Sequence, residues 1–588
     1  MPYLVPRATR VRASGLLAPA VPAFALSLCF ALHLDPAHAA GDLDAAVRQA
    51  DRLQNQQREQ IDRQRQQDLN ADGPATRLQV QPRAPSGRAS TTCRDIHTIS
   101  VSGVTLLRTG EVEALLDPYR GRCLGVAEIE GILGALTNAY IDKGYVAARA
   151  YLPAQDLSTG SLLIQIEEGR LKSLVLDDGQ RDSVWLPGVA PGLVDNPLNL
   201  RDLEQALDQI NRLRSNNATM DIRPGAAAGD SVVTFHNDPG RRVHLGLTYD
   251  NYGQKATGRN QVGANLALDN PFGLNDYISV THRRAQPYDT GRHSSYLSNL
   301  SYVLPLGYST LSLNASESEY ASILRAPSGA GLHTNGNSKN YSVRLDHVLW
   351  RGQQSMWTVS GSLTKKKNEN YLEGILLEVS SRSLTVFDLD TSFTTQVLGG
   401  ALNLDLGVAR GLPWFDALKD ASDLPGWAPR AQFTTYKYGF GFYRPFQLAG
   451  ENFSLNSTFT GQWAANVLYG SEQMSIGSPF TVRGFAENPL SGDHGYYLRN
   501  DLSWTRSVAL IAGQTFVLRP YLGADYGRVR NRVSDTQDGE LSSVSAGVGA
   551  YLGPLSLDLL VAHPIGAPSF MKHEARGDST FFNLSLAF

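Results

Sequence analysis

The sequence predicts a mainly β protein: a transmembrane antiparallel β-barrel of about sixteen strands, preceded by a polar helix and two small α+β domains. Three observations carry this. Past residue 39 no run of eighteen or more uncharged apolar residues occurs, which excludes a helical membrane protein. From residue 241 to the end, segments of roughly ten residues alternate apolar and polar side chains between Gly, Asn, Asp and Pro. Between residues 93 and 240 a pattern of strands and helices is read twice, in modules of about 75 residues.

In chain order, residues 1–39 read as a signal peptide. Arg7, Arg10 and Arg12 precede an apolar stretch from Leu16 to Leu34, and Ala37 and Ala39 bracket an A-x-A cleavage site. Cleavage removes Cys29 and leaves Cys93 and Cys123 as an even pair in an oxidising compartment. A disulfide is therefore predicted, with two buried thiols as the alternative. No His or Cys neighbours give metal-ligand spacing, so no metal is expected.

Residues 40–68 hold a polar helix. Asp42 offers an N-cap, and Gln49, Gln54, Gln56, Gln57, Gln60, Gln64, Gln66 and Gln67 follow without an internal Gly or Pro up to residue 67. Too few apolar residues are present to bury a stripe, so the segment is either disordered or lies in a polar, water-filled setting. Residues 69–92 turn to Pro, Gly, Arg and Ser, a linker composition.

The first module, 93–169, has strand alternation at Ile99 and Val101, helical spacing at Val126, Ile129, Ile132, Leu133, Leu136 and Tyr140, and alternation again at Leu162, Ile164 and Ile166. The second, 170–240, repeats this. Leu171 to Leu176 is strand-like, Leu200, Leu203, Leu207 and Ile210 line one helix face behind the N-cap candidate Asn199, and Val232 to Phe235 returns as a strand.

Over 241–588 the dyad pattern dominates. Val262, Ala264, Leu266 and Leu268 face one way, and Gly263, Asn265, Ala267 and Asp269 the other, as lipid and a wet lumen require. In the last strand Phe582, Leu584, Leu586 and Phe588 share a face, and the chain ends on an aromatic residue. Sixteen strands leave room for an aqueous channel.

The net charge of −3 suggests no nucleic-acid partner. No Ser, His and acid arrangement has usable spacing, so no enzyme is expected, and no cofactor.

The two modules resemble the POTRA domains of two-partner-secretion transporters, the TpsB family that includes the ShlB-, FhaC- and CdiB-type proteins. In the first module the resemblance lies in Arg122-Cys123-Leu124-Gly125, in Leu136 to Tyr145 (LTNAYIDKGY) and in Tyr151 to Ser158 (YLPAQDLS). In the second it lies in Asn199 to Leu213 (NLRDLEQALDQINRL), Ser215-Asn216-Asn217 and Pro224-Gly225. Val482-Arg483-Gly484-Phe485 is similar to the tip of a loop that folds into the barrel in this superfamily, here 468–495 and falling between the eleventh and twelfth strands. Gly523-Ala524-Asp525-Tyr526-Gly527 is similar to the family's G-x-D strand motif. Alternation independently turns Arg519, Tyr521, Gly523 and Asp525 to the lumen. A guanidinium confined in a barrel calls for a carboxylate, which makes Asp525 the expected partner of Arg483. Two departures stand out: Gly477-Ser478 where two glycines are common, and Asn500-Asp501 where an Asn-Glu or Arg-Glu pair is more usual.

The resemblance implies an outer-membrane protein of a Gram-negative bacterium, its polar helix plugging the lumen and its POTRA domains in the periplasm. They would capture a large secreted exoprotein (an adhesin, a haemolysin or a contact-dependent-inhibition toxin) for export through the barrel. Capture by β-augmentation is expected, with Asp202, Gln205, Gln209, Arg212 and Leu213 as substrate-docking candidates; a solvated face is the alternative for the charged residues among them. Phe582, Leu584, Leu586 and Phe588 would be read by the barrel-assembly machinery, outer-membrane lipid would surround the barrel, and a monomer is expected. The runner-up is an assembly factor of the BamA or TamA kind, but those carry three or more POTRA modules.

Overall fold

The structure is a computed structural model that describes residues 46, 47, 50 and 92–588, apart from 289–292, 326–328, 488, 510–513, 534–536 and 572–576. The signal peptide and all but Thr92 of the linker lie outside the described residues.

The first module is built from β1 (Arg94–Ile96), β2 (Thr98–Ser102), α1 (Thr109–Leu116), β3 (Arg122–Leu124), α2 (Val126–Asp142), β4 (Arg149–Tyr151) and β5 (Ser161–Glu167). β2 and β5 run parallel, which requires a crossover, and the chain between them supplies both helices. Ile129, Ile132, Leu136 and Tyr140 of α2 pack with Ile99, Leu162, Ile164 and Ile166 of the sheet. Val126 is 56 % exposed, so the helical periodicity reads one residue too far. β1 pairs with β3 with Asp95 opposite Cys123, and this pairing brings Cys93 to Cys123, where the disulfide forms.

The second module repeats the plan with β6 (Arg170–Asp177), α3 (Leu186–Val189), α4 (Leu200–Asn211), β7 (Thr219–Pro224) and β8 (Asp230–His236), in sheet order β6-β8-β7. Asn199 caps α4 by accepting from the Arg201 N–H at 2.9 Å. Leu203, Leu207 and Ile210 bury one face of α4 against Val233 and Phe235 of the sheet.

The remaining strands close a sixteen-stranded antiparallel barrel. They are β9 (Val243–Asp250), β10 (Asn260–Asp269), β11 (Tyr277–Gln286), β12 (Ser294–Leu306), β13 (Ser309–Arg325), β14 (Gly331–Arg351), β15 (Ser355–Leu372), β17 (Arg382–Val397), β18 (Gly400–Leu412), β19 (Thr434–Leu448), β20 (Glu451–Ala464), β23 (His494–Ala509), β24 (Thr515–Arg530), β25 (Gly539–Leu552), β26 (Leu555–Gly566) and β27 (Ser579–Ala587). A two-residue strand, β16 (Ile375–Leu376), pairs back onto the end of β15. Closure comes from β27 pairing with β9, Asn583 opposite Asp250, and Phe588 exchanging backbone hydrogen bonds with Leu245.

Outward faces carry the apolar residues, as in Leu245, Leu247 and Tyr249 of β9, while Asp250, Gln261 and Asp269 are buried inside. On β14 the outward series Tyr341, Val343, Leu345 and Leu349 gives way above residue 340 of the chain's path to Lys339, Asn337, Asn335 and His333. β13, β14 and β15 thus continue past the apolar band toward the outside. Within the polar segment 40–68, the described residues Ala46, Val47 and Ala50 are helical. Ala46 packs on Leu332, Leu372 and Leu377, and Ala50 on Tyr320, against this tall part of the wall.

Candidate functional site

Between β20 and β23 the chain folds inward as a hairpin stem, β21 (Met474–Ile476) paired with β22 (Leu490–Gly492). Apolar burial seats it: Ile476, Val482, Phe485 and Leu490 pack with Val529 of β24, Leu541 of β25 and Met571. Gly477 turns the chain at φ +101°, a left-handed conformation that favours glycine. Ser478, in place of a second glycine, is put to use. The N–H groups of Gly477 and Ser478 donate to Thr481 Oγ1 at 3.0 and 3.1 Å, and Ser478 Oγ accepts from the Phe480 N–H at 3.2 Å.

The turn delivers Arg483, only 1 % exposed, to the inner wall. Its Nε donates to Asp525 Oδ2 at 2.6 Å and its Nη2 to Oδ1 at 2.6 Å, a bidentate pair, and its backbone N–H donates to Oδ2 at 3.1 Å. Ser543 Oγ also donates to Asp525 Oδ2, at 3.4 Å. Sequence reasoning missed a second acid. Arg483 Nη1 lies 2.7 Å from Asp501 Oδ1, so the guanidinium sits between two carboxylates. Asp501 was visible only as a departure from the family pattern, yet β23 places it directly opposite Gly523 on β24. Gly523 explains the glycine two residues before Asp525: a Cβ there would stand 2.3 Å from Arg483 Nη2 and 2.7 Å from Asp501 Oδ1. Val482 and Phe485 complete the tip within the apolar seat, and Gly484 takes φ +98° beside Pro564.

The second set of expected site residues needs correction. Asp202, Gln205, Gln209 and Leu213 on and just after α4 do not form an open docking face, because the barrel's periplasmic turns cover it. Gln205 and Gln209 donate to the Gly307 carbonyl at 3.2 and 2.8 Å, and Tyr308 donates to Asp202 Oδ1 at 2.6 Å. Arg351, at the end of β14, donates to Gln205 Oε1 at 2.9 Å and pairs with Asp208 at 2.7 Å and Glu204 at 3.5 Å. Leu213 is buried and Arg212 half-buried. Burial raises the Asp202 carboxyl above its ordinary range, the Tyr308 hydroxyl only partly offsetting it. α4 is therefore amphipathic in an unusual sense: its apolar face meets its own sheet and its polar face meets the barrel. Phe582, Leu584 and Leu586 share the outward face of β27, with exposed Phe588 just past its end, and Phe582 packs against Tyr249 at 5.3 Å between centroids.

A sequence profile of the haemolysin secretion/activation protein ShlB/FhaC/HecB family matches residues 229–550, more than half of the chain. The chain belongs to this family. A ShlB-type POTRA profile matches residues 95–169 and a further POTRA profile residues 170–224. The outer membrane transporter CdiB of Escherichia coli is 33 % identical over 522 residues, covering 88 % of this chain and 87 % of that protein. The hemolysin transporter protein ShlB of Serratia marcescens is 35 % identical over 478 residues, covering 81 % and 82 %. The solved CdiB from Escherichia coli superposes with a TM-score of 0.82 at 32 % identity, covering 92 % of this chain and 98 % of that one. Like its relatives, this ShlB/FhaC/HecB-family chain is an outer-membrane two-partner-secretion transporter with periplasmic POTRA domains. The assembly-factor alternative gives way to this match.

Proposed function

We propose that the POTRA domains capture a large secreted exoprotein in the periplasm and that the barrel lumen conducts it to the cell surface, with Arg483 and Asp525 fixing the inward loop in the competent position. The observation that carries this reading is the seating of α4 on the barrel turns, which puts the capture modules at the mouth of a lumen whose inward loop 468–495 is pinned by a buried ion pair. With the polar face of α4 occupied, capture falls to a free sheet edge. β7, the exposed outer strand of the second module, offers unpaired backbone groups for β-augmentation. The reading assigns no catalytic step, a monomeric working state in outer-membrane lipid, and a C-terminal strand whose outward aromatics serve barrel assembly.

The test is export of a co-expressed large exoprotein, in cells with and without this chain. Surface appearance of that partner only when the chain is present supports the reading; equal appearance without it sinks the reading.

A further inference from the structure

The inward loop touches the barrel at two places far apart around its circumference. Its tip is held on β23 and β24, the twelfth and thirteenth barrel strands, by Asp501 and Asp525. Its root takes another course. Leaving β20 at Ala464, it crosses the inner wall, where Leu468 packs with Val386 of β17 and Ala409 of β18. The turn 470–472 then reaches β15, the seventh strand. There Lys366 Nζ donates to both oxygens of Glu472, at 2.9 Å each. At the first residue of β17, the Arg382 guanidinium lies over the Tyr469 ring, 4.3 Å from its centroid. Buried Asp493 clamps the two ends of this short excursion, accepting from the Leu468 N–H at 2.9 Å and from Gln473 Nε2 at 3.2 Å. Residues 469–472 therefore form a flap, hinged at Asp493 and fastened to the far wall by Lys366 and Arg382.

The two fastenings differ in kind. Arg483 and Asp525 are bidentate and dry, their side chains 1 % and 0 % exposed. At Lys366 and Glu472 one ammonium spans both carboxylate oxygens, with side chains 21 % and 8 % exposed. Water already reaches the ammonium, so parting this pair strands the lysine less than parting the tip pair, both of whose side chains are dry, would strand either of its charges. A polypeptide that is to pass must widen the lumen, and the strap it meets is dry at one end and wet at the other.

We infer that Lys366 and Glu472 are the releasable clasp of the loop: the 469–472 flap leaves the β15–β17 wall while the Arg483 tip stays seated. Lys366 is thus a positioning residue for transport. The inference rests on the transport reading for its purpose, but its test uses no cargo.

Ser471, buried on the flap, is replaced by cysteine in the full chain, and in a second version Ser478, buried at the tip, is replaced instead. Intact cells are treated with a membrane-impermeant maleimide. Lys366→Met and Glu472→Gln are each expected to raise the labelling rate at position 471 by roughly five- to thirtyfold, the shift that loss of one modest interaction gives, and to leave position 478 protected. The exchanged pair Lys366→Glu with Glu472→Lys should restore protection, which a role in packing alone would not do. Heat-modifiability confirms that each variant is a folded barrel, and Lys366→Gln serves if the methionine variant is not. Unchanged labelling at 471 overturns the clasp. Labelling that rises equally at 471 and 478 overturns release from the root alone. Either result stands whether or not the chain exports its partner.

Discussion

Asp525 and Arg483 can be deleted singly and together, and the structure sets the size and order of the effects. Arg483→Ala leaves the Asp525 carboxylate, its side chain fully buried, with the residue-483 N–H and the Ser543 hydroxyl as its remaining donors in the site. Breaking such a pair costs on the order of 3 to 5 kcal/mol. Asp525→Ala leaves the guanidinium beside Asp501 at 2.7 Å, so its cost falls at the lower end of that range. At about 1.4 kcal/mol per factor of ten, the ratio of docked to undocked loop drops by roughly two to more than three orders of magnitude. Secretion of the partner should fall in both variants, more in Arg483→Ala, while both still yield heat-modifiable, inserted barrels because no outward-facing residue has changed. The double variant should be no worse than the worse single, since both substitutions remove one interaction. Arg483→Lys should not rescue, because a single ammonium cannot bridge two oxygens of Asp525 and reach Asp501 as well. Losses that add independently in the double variant would refute the pairing as the functional unit.

Gly523→Ala should act like a mild version of those variants, because its methyl group would occupy the space of Arg483 Nη2; normal secretion would show that the guanidinium can shift without consequence. Thiol titration of the denatured mature protein without reductant should find no free thiol, the Cys93–Cys123 bridge closing a loop of about 30 residues worth roughly 3.6 kcal/mol in the chain-entropy model, and two free thiols would refute it. Deleting residues 42–67 should raise single-channel conductance in planar bilayers, with unchanged conductance arguing for a tail outside the lumen. Arg351→Ala removes one partner of Asp208 and leaves Glu204 paired with Arg201 at 2.7 Å, a cost of roughly 1 to 3 kcal/mol. It should speed proteolysis at residues 237–242 between the second POTRA domain and the barrel, and an unchanged cleavage rate would show that the remaining contacts suffice.

How much of this could be read from the sequence depended on whether the partner of each residue left a trace in it. Lipid and lumen faces were legible because alternation is local: the same counting that puts Leu522 outside puts Asp525 inside. The inward loop needed resemblance, since four residues around one glycine say nothing of where they point. The role of Asp501 was hidden because it depends on register, which sets it across from Gly523 on the next strand. The polar face of α4 misled for a different reason. Gln205, Gln209 and Asp202 have the look of a solvated surface, and what covers them includes a backbone carbonyl, Gly307, and a turn tyrosine, neither of which any spacing rule connects to a helix a hundred residues earlier.

The tall strands carry a consequence for what happens outside. β14 has 21 residues, and at about 3.3 Å per residue and a tilt near 40° it stands roughly 50 Å high, about twice the apolar band of such barrels. Its upper outward positions, His333, Asn335, Asn337 and Lys339, belong to water. Lys339 reaches Glu317 on β13 at 3.0 Å, so charge holds together above the lipid what grease holds below. The exit is therefore walled higher along β13 to β15 than along the shorter strands, and a chain leaving beside that wall would meet polar side chains and not lipid before reaching open solvent.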